Sequence, residues 1–277
     1  MKHAGVMGWP VENSRSPVVH GHWLKQYGID GDYRLLPVPP PELEKALRAL
    51  PRQGFAGCNL TIPHKEAALA IVDRIDATAR RIGAVNTVVV MPDGTLEGRN
   101  TDAFGFIESL RRAVPKTQFS AGPAVVLGAG GASRAVVAAL IDQSVPEIRL
   151  INRNRGRAEA LAAALGGPIR ILDWSERSAA LAGAALLVNT TKLGMAGQPE
   201  LDLALDDLPK SAIVNDIVYV PLETPLLAAG RDRGNVVIDG LGMLLHQARA
   251  GFAAWFGVMP EVTPALRAAV VASLASR

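Results

Sequence analysis

The strongest constraint on the fold is a glycine-rich turn that joins an apolar strand to an apolar helix. Residues 123–127 (PAVVL) have the composition of a buried strand, residues 128–134 read GAGGASR, and residues 135–141 continue as an apolar helix. This order is typical of a dinucleotide-binding loop, in which glycines let the backbone approach a pyrophosphate at the start of the helix. Ser133 occupies the third position of the G-x-G-x-x-G pattern, so the match is incomplete.

The segment after the next strand, residues 147–151, indicates which dinucleotide binds. A protein that binds NAD offers a carboxylate to the ribose about 20 residues past the loop, whereas residues 152–157 of this chain read NRNRGR. Arg153, Arg155 and Arg157 suit the 2′-phosphate of NADP, because a guanidinium forms charge-assisted hydrogen bonds with phosphate. We therefore predict NADP(H) as the cofactor. A solvated basic loop is the alternative.

Composition limits the possible partners. The chain has 277 residues, of which 49% are hydrophobic, and its charge is 29 − 26 = +3. This charge is too small to indicate nucleic acid, although a pI near 9.2 suits an anionic small molecule. A single cysteine, Cys58, excludes an internal disulfide and suits a reducing compartment. We find no signal segment, membrane span or metal-ligand spacing, and we expect a cytoplasmic protein that binds no nucleic acid, membrane or metal.

The first hundred residues alternate between strands and helices. Strands are predicted at 4–7, 33–38 and 54–60, with helices at 17–27 and after Pro40-Pro41. This alternation favours parallel βα units and an α/β fold. Residues 85–90 and 95–98 flank a strong turn signal, MPDG, and predict a β-hairpin.

Lys65 is the first candidate for catalysis. Pro63 suits the first position of a helix that leaves the strand at 54–60, and Lys65 then lies near the amino end of that helix. The helix macrodipole disfavours a cation there by roughly 0.3–1 kcal/mol, which suits a lysine that transfers protons. An exposed lysine at a frayed helix start is the alternative.

Ser14, Ser16 and Asp102 each have a structural and a functional interpretation. Ser16 is a suitable N-cap before Pro17, and with Ser14 it directs hydroxyls to a helix start that is able to bind a carboxylate or phosphate. Simple capping explains Ser16 but hardly Ser14. Asp102 precedes a helix predicted at 103–114, so it either serves that helix as a cap or first-turn acid or orients the lysine for proton transfer.

Polar residues follow the later predicted strands at 186–189, 212–215 and 236–238. In parallel sheets, ligands bind at the carboxyl ends of the strands. Thr190 and Thr191 follow one strand, and Ile217 and Tyr219 follow the next. Gln247 lies among apolar residues of a later helix, where it is either an amide at the edge of the core or a ligand contact.

Taken together, the motifs resemble the shikimate dehydrogenase family. They read G-x-P-x3-S-x-SP-x2-H from Gly8, NLTIP-x-K from Asn59, GAVNT from Gly83, G-x-NTD from Gly98, GAGG from Gly128, NR from Asn152 and GML-x2-Q from Gly242. The resemblance spans the chain and implies NADPH-dependent reduction of 3-dehydroshikimate to shikimate, in the route to aromatic amino acids. Departures from the family pattern occur at Gly21, Asn154 and Lys192.

The resemblance also implies residue roles. Lys65 and Asp102 form the catalytic proton-transfer pair, Ser14 and Ser16 hold the substrate carboxylate with Tyr219 assisting, and Thr61, Asn86 and Gln247 contact ring hydroxyls. The implied substrate-binding residues are Ser14, Ser16, Asn59, Thr61, Lys65, Asn86, Asp102, Tyr219 and Gln247. The implied cofactor-binding residues are Gly128, Ala129, Gly130, Gly131, Ala132, Asn152, Arg153, Asn154, Arg157, Thr190, Thr191, Ile217 and Gly240.

Family members have two α/β domains with the active site in the cleft between them. The implied substrate domain, with a mixed, mainly parallel sheet, comprises residues 1–101 and 241–277, and a Rossmann-type NADP domain comprises residues 102–240. A monomer or a homodimer is expected. Two alternatives remain open: a quinate/shikimate dehydrogenase with relaxed substrate or cofactor choice, and a dinucleotide-binding regulator without catalysis.

Overall fold

The computed structural model describes residues 1–274, and the chain divides into two compact units. One unit comprises Met1–Gly105 and the chain from Leu244 onward, and the other comprises Phe106–Met243. Both boundaries between the units lie within helices, a few residues after the starts of Asp102–Ala113 and Leu241–Phe256. No helix within residues 1–274 is both long and apolar enough to cross a membrane.

The first unit is built on a mixed six-stranded sheet. Its strands are β1 (Lys2–Gly8), β2 (Gly31–Pro37), β3 (Phe55–Leu60), β4 (Arg74–Ile75), β5 (Thr87–Val90) and β6 (Leu96–Arg99), in the order β2-β1-β3-β5-β6-β4. β1 pairs in parallel with β2 and β3, and β5 is antiparallel to both β3 and β6. The predicted βα alternation and the predicted hairpin are therefore confirmed.

Helices complete both units. They are α1 (Ser16–Gln26), α2 (Leu43–Ala49), α3 (Ala77–Ile82), α4 (Asp102–Ala113), α5 (Gly131–Asp142), α6 (Arg155–Leu165), α7 (Pro225–Asp232), α8 (Leu241–Phe256) and α9 (Pro264–Leu274). In the first unit, the Trp255 indole of α8 donates a hydrogen bond to the Val88 carbonyl at 3.0 Å. Gly57 lies beneath this contact, where a Cβ atom would be 2.0 Å from the same carbonyl oxygen, so only glycine fits.

The second unit is built on an all-parallel sheet. Its strands are β7 (Ala124–Leu127), β8 (Ile148–Ile151), β9 (Ile169–Leu172), β10 (Leu186–Asn189), β11 (Ile213–Asp216) and β12 (Val236–Ile238), in the order β12-β11-β10-β7-β8-β9. This is the Rossmann strand order, with its topological switch between β7 and β10. The predicted fold class is confirmed. The sequence analysis did not predict β9, whose residues are only partly buried, or the helices α6 and α7.

A buried carboxylate organises the loop after β11. Asp216 is fully buried and accepts hydrogen bonds from the Asn189 amide at 3.0 Å, the Val218 N–H at 3.0 Å and the Thr224 hydroxyl at 2.8 Å. Burial raises the pKa of Asp216 from 3.8 to about 6, although the three hydrogen bonds act in the opposite direction.

The pKa of Asp216 predicts how stability depends on pH. Because the pKa is higher in the folded than in the unfolded chain, the contribution of this residue is fully present below pH 3.8 and is lost as pH rises to about 6. The free energy of unfolding of the wild type, relative to Asp216→Asn, should fall by about 1–3 kcal/mol between pH 4 and pH 7. Urea unfolding at several pH values measures this difference. A difference that stays constant with pH would contradict the prediction.

Candidate active site

Lys65 and Asp102 form a largely buried ion pair in the first unit. The Lys65 Nζ lies 2.5 Å from Asp102 Oδ2, and the two side chains are 17% and 5% exposed. Asp102 is the first residue of α4 and follows β6 closely, while Lys65 lies in the loop after β3, whose neighbour in the sheet is β5. Two residues that are 37 positions apart in sequence therefore meet because their strands belong to one sheet.

The predicted helix at Pro63 does not form. The Ile62–Pro63 peptide bond is cis, and the His64 N–H donates to the Thr61 carbonyl at 2.9 Å, so the chain turns here. Tertiary contacts hold this turn, because the buried His64 ring hydrogen-bonds to the Val38 carbonyl at 2.8 Å and the Lys65 carbonyl accepts from the Val85 N–H at 2.7 Å. The macrodipole argument for Lys65 was therefore wrong, and the nearest charge to its ammonium group is a carboxylate.

Asp102 does not cap α4 with its side chain. The Asn100 Oδ1 accepts from the Asp102 N–H at 3.0 Å, so the side chain of Asn100 serves the start of the helix. The carboxylate of Asp102 instead accepts from Lys65 at one oxygen and from the Asn86 amide at the other, at 2.8 Å. Of the two sequence interpretations, the structure supports the one in which Asp102 orients the lysine.

Asn86 connects the ion pair to Gln247 and Thr101. Its Nδ2 lies 2.8 Å from Asp102 Oδ1, 2.9 Å from Thr101 Oγ1 and 3.2 Å from Gln247 Oε1, and its Oδ1 accepts from the Thr101 N–H at 2.9 Å. Gln247 comes from α8, far along the chain, and its Nε2 donates to the Leu244 carbonyl. Gln247 is thus part of the cluster and is not only an amide at the edge of the core.

Asn59 supports the cluster of Lys65, Asp102, Asn86, Thr101 and Gln247 through the backbone of Asn86. Its Oδ1 accepts from the Tyr33 hydroxyl at 2.6 Å, and its Nδ2 donates at 3.1 Å both to the Asn86 carbonyl and to Thr87 Oγ1. Both N–H groups of the amide therefore have protein acceptors. Its predicted contact with the substrate stays a prediction.

Ser14 and Ser16 lie together at the start of α1. Ser16 is the first helical residue and not the N-cap as predicted; the Ser14 hydroxyl accepts from the Ser16 N–H at 3.3 Å and lies 3.2 Å from the Ser16 hydroxyl. Among residues 1–274, no hydrogen bond joins either serine to the Lys65 cluster.

Thr61 is half-buried, and its N–H donates to the Met7 carbonyl of β1 at 2.9 Å.

The glycine-rich loop of the second unit has room for a phosphate group. Gly128 has φ +111°, and a Cβ atom there would lie 2.5 Å from Thr190 Oγ1, whereas a Cβ atom at Gly130 would meet nothing within 4 Å. Gly130 precedes α5, whose start has no side-chain cap. Ser133 replaces the third glycine without blocking this space, because its buried hydroxyl donates to the Gly128 carbonyl at 2.6 Å. These features fit a pyrophosphate at the start of α5.

The arginine-rich segment is only partly available to a ligand. Arg155 forms ion pairs with Asp173 at 2.6 Å and Glu159 at 2.9 Å, which raise the pKa of its guanidinium. Arg155 is thus already paired with two carboxylates, and the binding of the 2′-phosphate by Arg153, Arg155 and Arg157 stays a prediction. Asn154 caps α6 by accepting from the Arg157 N–H at 3.2 Å, and the Asn152 amide donates to the Asn154 carbonyl.

Loops at the carboxyl ends of β10 and β11 contain the remaining predicted contacts. The Thr190 hydroxyl donates to the Leu127 carbonyl, and the Thr191 hydroxyl donates to Asn189 Oδ1, both at 2.7 Å. A Cβ atom at Gly240 would lie 2.1 Å from the Ile217 carbonyl oxygen, so the two segments approach each other closely. Tyr219 is half-buried in the same loop, and Lys192 is exposed beside Thr191.

Sequence reasoning missed several residues that organise these sites. Thr87 and Thr101 belong to motifs that were recognised, but no role was assigned to them. Tyr33 gave no signal beyond its strand, because its contact with Asn59 joins different strands of the sheet. Ser133 was interpreted only as a departure from a glycine pattern.

Comparisons with known proteins extend over both units. Family models match in three segments: the shikimate dehydrogenase substrate binding domain at residues 6–88, shikimate / quinate 5-dehydrogenase at residues 111–195 and the shikimate 5'-dehydrogenase C-terminal domain at residues 240–270. The chain is 63% identical over 268 residues to a shikimate dehydrogenase (NADP(+)) of Paramagnetospirillum magneticum, with 97% of each chain covered.

Solved structures agree with the sequence matches. A shikimate 5-dehydrogenase from Thermus thermophilus, in complex with NADP(H) and shikimate, has a TM-score of 0.86 and 38% identity, over 99% of this chain and 100% of that chain. A quinate dehydrogenase from Corynebacterium glutamicum, in complex with NAD, has a TM-score of 0.89 and 31% identity, over 98% of this chain and 100% of that chain. The resemblance inferred from the motifs is confirmed: the chain belongs to the shikimate dehydrogenase family.

Proposed function

We propose that this protein catalyses the reversible, NADPH-dependent reduction of 3-dehydroshikimate to shikimate, a step in the biosynthesis of aromatic amino acids. Family membership supports this reaction, and the buried Lys65–Asp102 pair is the structural observation that carries it. The single cysteine, Cys58, is buried and free, which suits the cytoplasm as the expected compartment.

Lys65 is the proposed proton donor. Reduction of a ketone adds a hydride to the carbonyl carbon and a proton to the carbonyl oxygen, and the Lys65 ammonium supplies that proton to the oxygen at C3. Asp102 orients the ammonium, since its Oδ2 accepts from Lys65 at 2.5 Å while the Asn86 amide holds its other oxygen. In the reverse direction the neutral Lys65 amine accepts the proton of the C3 hydroxyl.

Substrate recognition is assigned to polar groups of the first unit. Ser14 and Ser16 offer hydroxyls at the start of α1, an 11-residue helix whose N-cap residue, Arg15, makes no capping hydrogen bond with its side chain. This positive helix end suits the substrate carboxylate. Thr61, Asn86 and Gln247 are assigned to the ring hydroxyls. The contribution of Tyr219, a residue of the second unit, remains a prediction.

Cofactor binding is assigned to the second unit. Residues 128–132 would hold the pyrophosphate, and Arg153 and Arg157 would hold the 2′-phosphate, because residues 152–157 include no carboxylate that would bind a 2′-hydroxyl. When bound, NADPH supplies the hydride. Thr190, Thr191, Ile217 and Gly240 are assigned to the rest of the cofactor.

Direct assay tests the function. NADP reduction with shikimate should be readily measured, and replacement of shikimate by quinate or of NADP by NAD should lower kcat/KM. Absorbance at 340 nm follows each reaction. If shikimate with NADP gave no turnover, the proposal would be wrong, and a preference for quinate or NAD would support the alternative of a quinate/shikimate enzyme.

Removal of the proton donor should abolish most of the activity. Lys65→Met keeps an unbranched side chain that is one atom shorter and offers no proton, so kcat should fall by about 10²–10⁴-fold. Steady-state kinetics measures kcat, and calorimetric titration with shikimate verifies that binding persists. Lys45→Met is the matched control, because Lys45 is an exposed lysine of α2 in the same unit. Nearly normal turnover of the Lys65 variant would exclude Lys65 as the donor.

The arginine segment should determine the choice between NADP and NAD. Arg153→Gln should raise the KM for NADP by roughly 10- to 100-fold, the usual worth of a charge-assisted hydrogen bond, and should leave the KM for NAD nearly unchanged. Arg155→Gln, which removes a guanidinium already paired with Glu159 and Asp173, should raise the KM for NADP much less. Equal effects of the two substitutions would contradict the assignment.

A further inference from the structure

The geometry points to Thr87 as a positioning residue for the catalytic pair. Its buried hydroxyl lies between Asn59 and Asn86, 3.1 Å from Asn59 Nδ2 and 3.0 Å from Asn86 Oδ1. Through Asn86, this hydroxyl fixes the amide that binds Asp102. The inference rests on the proposed function of Lys65 and Asp102, and it adds a residue that touches neither of them.

The direction of each hydrogen bond follows from a backbone group that has only one possible role. The Asn86 carbonyl can only accept, so the Asn59 side-chain group 3.1 Å from it is the NH₂ group. The Asn59 Oδ1 then faces Tyr33, whose hydroxyl must donate. The second N–H of Asn59 points to Thr87 Oγ1, which therefore accepts and has its single proton free for Asn86 Oδ1.

Asn86 is oriented in the same way. The Thr101 N–H can only donate, so the Asn86 side-chain atom 2.9 Å from it is the oxygen Oδ1. The NH₂ group of Asn86 then faces Asp102 Oδ1, at 2.8 Å. Thr87 donates to the same oxygen at 3.0 Å, and the Thr101 hydroxyl lies farther from it, at 3.3 Å. Several partners on one oxygen restrict rotation of the amide plane. Without the Thr87 hydroxyl, one of the two shorter restraints is lost.

The series of hydrogen bonds begins at Tyr33 and ends at Lys65. Tyr33, Asn59, Thr87, Asn86 and Asp102 are all buried, so water is poorly able to replace a missing partner. Two backbone groups, the Asn86 carbonyl and the Thr101 N–H, determine the directions of these hydrogen bonds. Loss of the Thr87 hydroxyl should therefore loosen the Asn86 amide and misalign the Asp102 carboxylate with Lys65.

Two substitutions at Thr87 separate this role from simple packing. Thr87→Val keeps the shape of the side chain and removes the hydroxyl, whereas Thr87→Ser keeps the hydroxyl and removes a buried methyl group. We expect Thr87→Val to lower kcat with shikimate by roughly 2- to 13-fold, the range that corresponds to the net worth of one hydrogen bond, without changing the KM for NADP. Thr87→Ser should retain a kcat within about twofold of the wild type, although it should be less stable.

The opposite ranking, or equal losses in the two variants, would overturn the inference. Tyr33→Phe is a second test in case Thr87→Val does not fold. It removes the hydroxyl at the start of this series of hydrogen bonds and should also lower kcat, by a smaller factor. An unchanged kcat in Tyr33→Phe and in any folded Thr87→Val would also overturn the inference.

A measurement without substrate separates this inference from the proposed function. The side-chain NH₂ signals of Asn86 in a ¹H–¹⁵N spectrum, assigned with Asn86→Asp, should shift or broaden in Thr87→Val and stay near their wild-type positions in Thr87→Ser. Unaltered signals in Thr87→Val would overturn the inference even if the wild type is active. If the wild type did not turn over shikimate, the proposed function would fail, while the spectra would still decide whether Thr87 orients Asn86.

Discussion

A buried carboxylate next to an ammonium group is the interaction on which the first unit depends. Removal of such a pair from water costs several kcal/mol per ion unless the remaining lone pairs and protons find partners. Asp102 satisfies this condition, since one oxygen accepts from Lys65 and the other from Asn86. Lys65 lies in the loop after β3 and Asn86 directly precedes β5, so the sheet must be assembled before the pair is stable.

The same requirement explains why the site is rich in amides and threonines. Asn59, Asn86 and Gln247 each offer both a donor and an acceptor, and the threonine hydroxyls connect them. Such a network orients a carboxylate more rigidly than water would, because each member has only one arrangement that satisfies its neighbours. A rigid carboxylate holds the ammonium in one direction, which is what proton transfer to a single oxygen requires.

In the second unit the main constraint is the switch in strand order between β7 and β10. Strands on the two sides of this switch connect in opposite directions, so their carboxyl-terminal loops separate and leave a crevice. The loops are close where they leave the sheet, since a Cβ atom at Gly128, after β7, would lie 2.5 Å from Thr190 Oγ1, after β10. Farther along the first loop, Gly130 leaves open space at the start of α5. Asp216 holds the next loop in place through three hydrogen bonds, which compensate in part for the burial of its charge.

The sequence by itself determined the fold class, the glycine-rich loop, the hairpin and the family, because these depend on local patterns of apolar residues, glycines and turns. It also selected Lys65 and Asp102, although the local reasoning was wrong for Lys65, because no helix begins at Pro63. For Asp102 it was right in part: the residue is an acid in the first turn of α4, but its side chain does not cap the helix. Only the tertiary structure decided that Ser14 serves the start of α1, that Arg155 is paired with acids, and that Tyr33, Asn59 and Thr87 support Asn86. These contacts join residues that are distant in sequence or depend on side-chain direction, and neither local propensity nor spacing specifies which donor meets which acceptor.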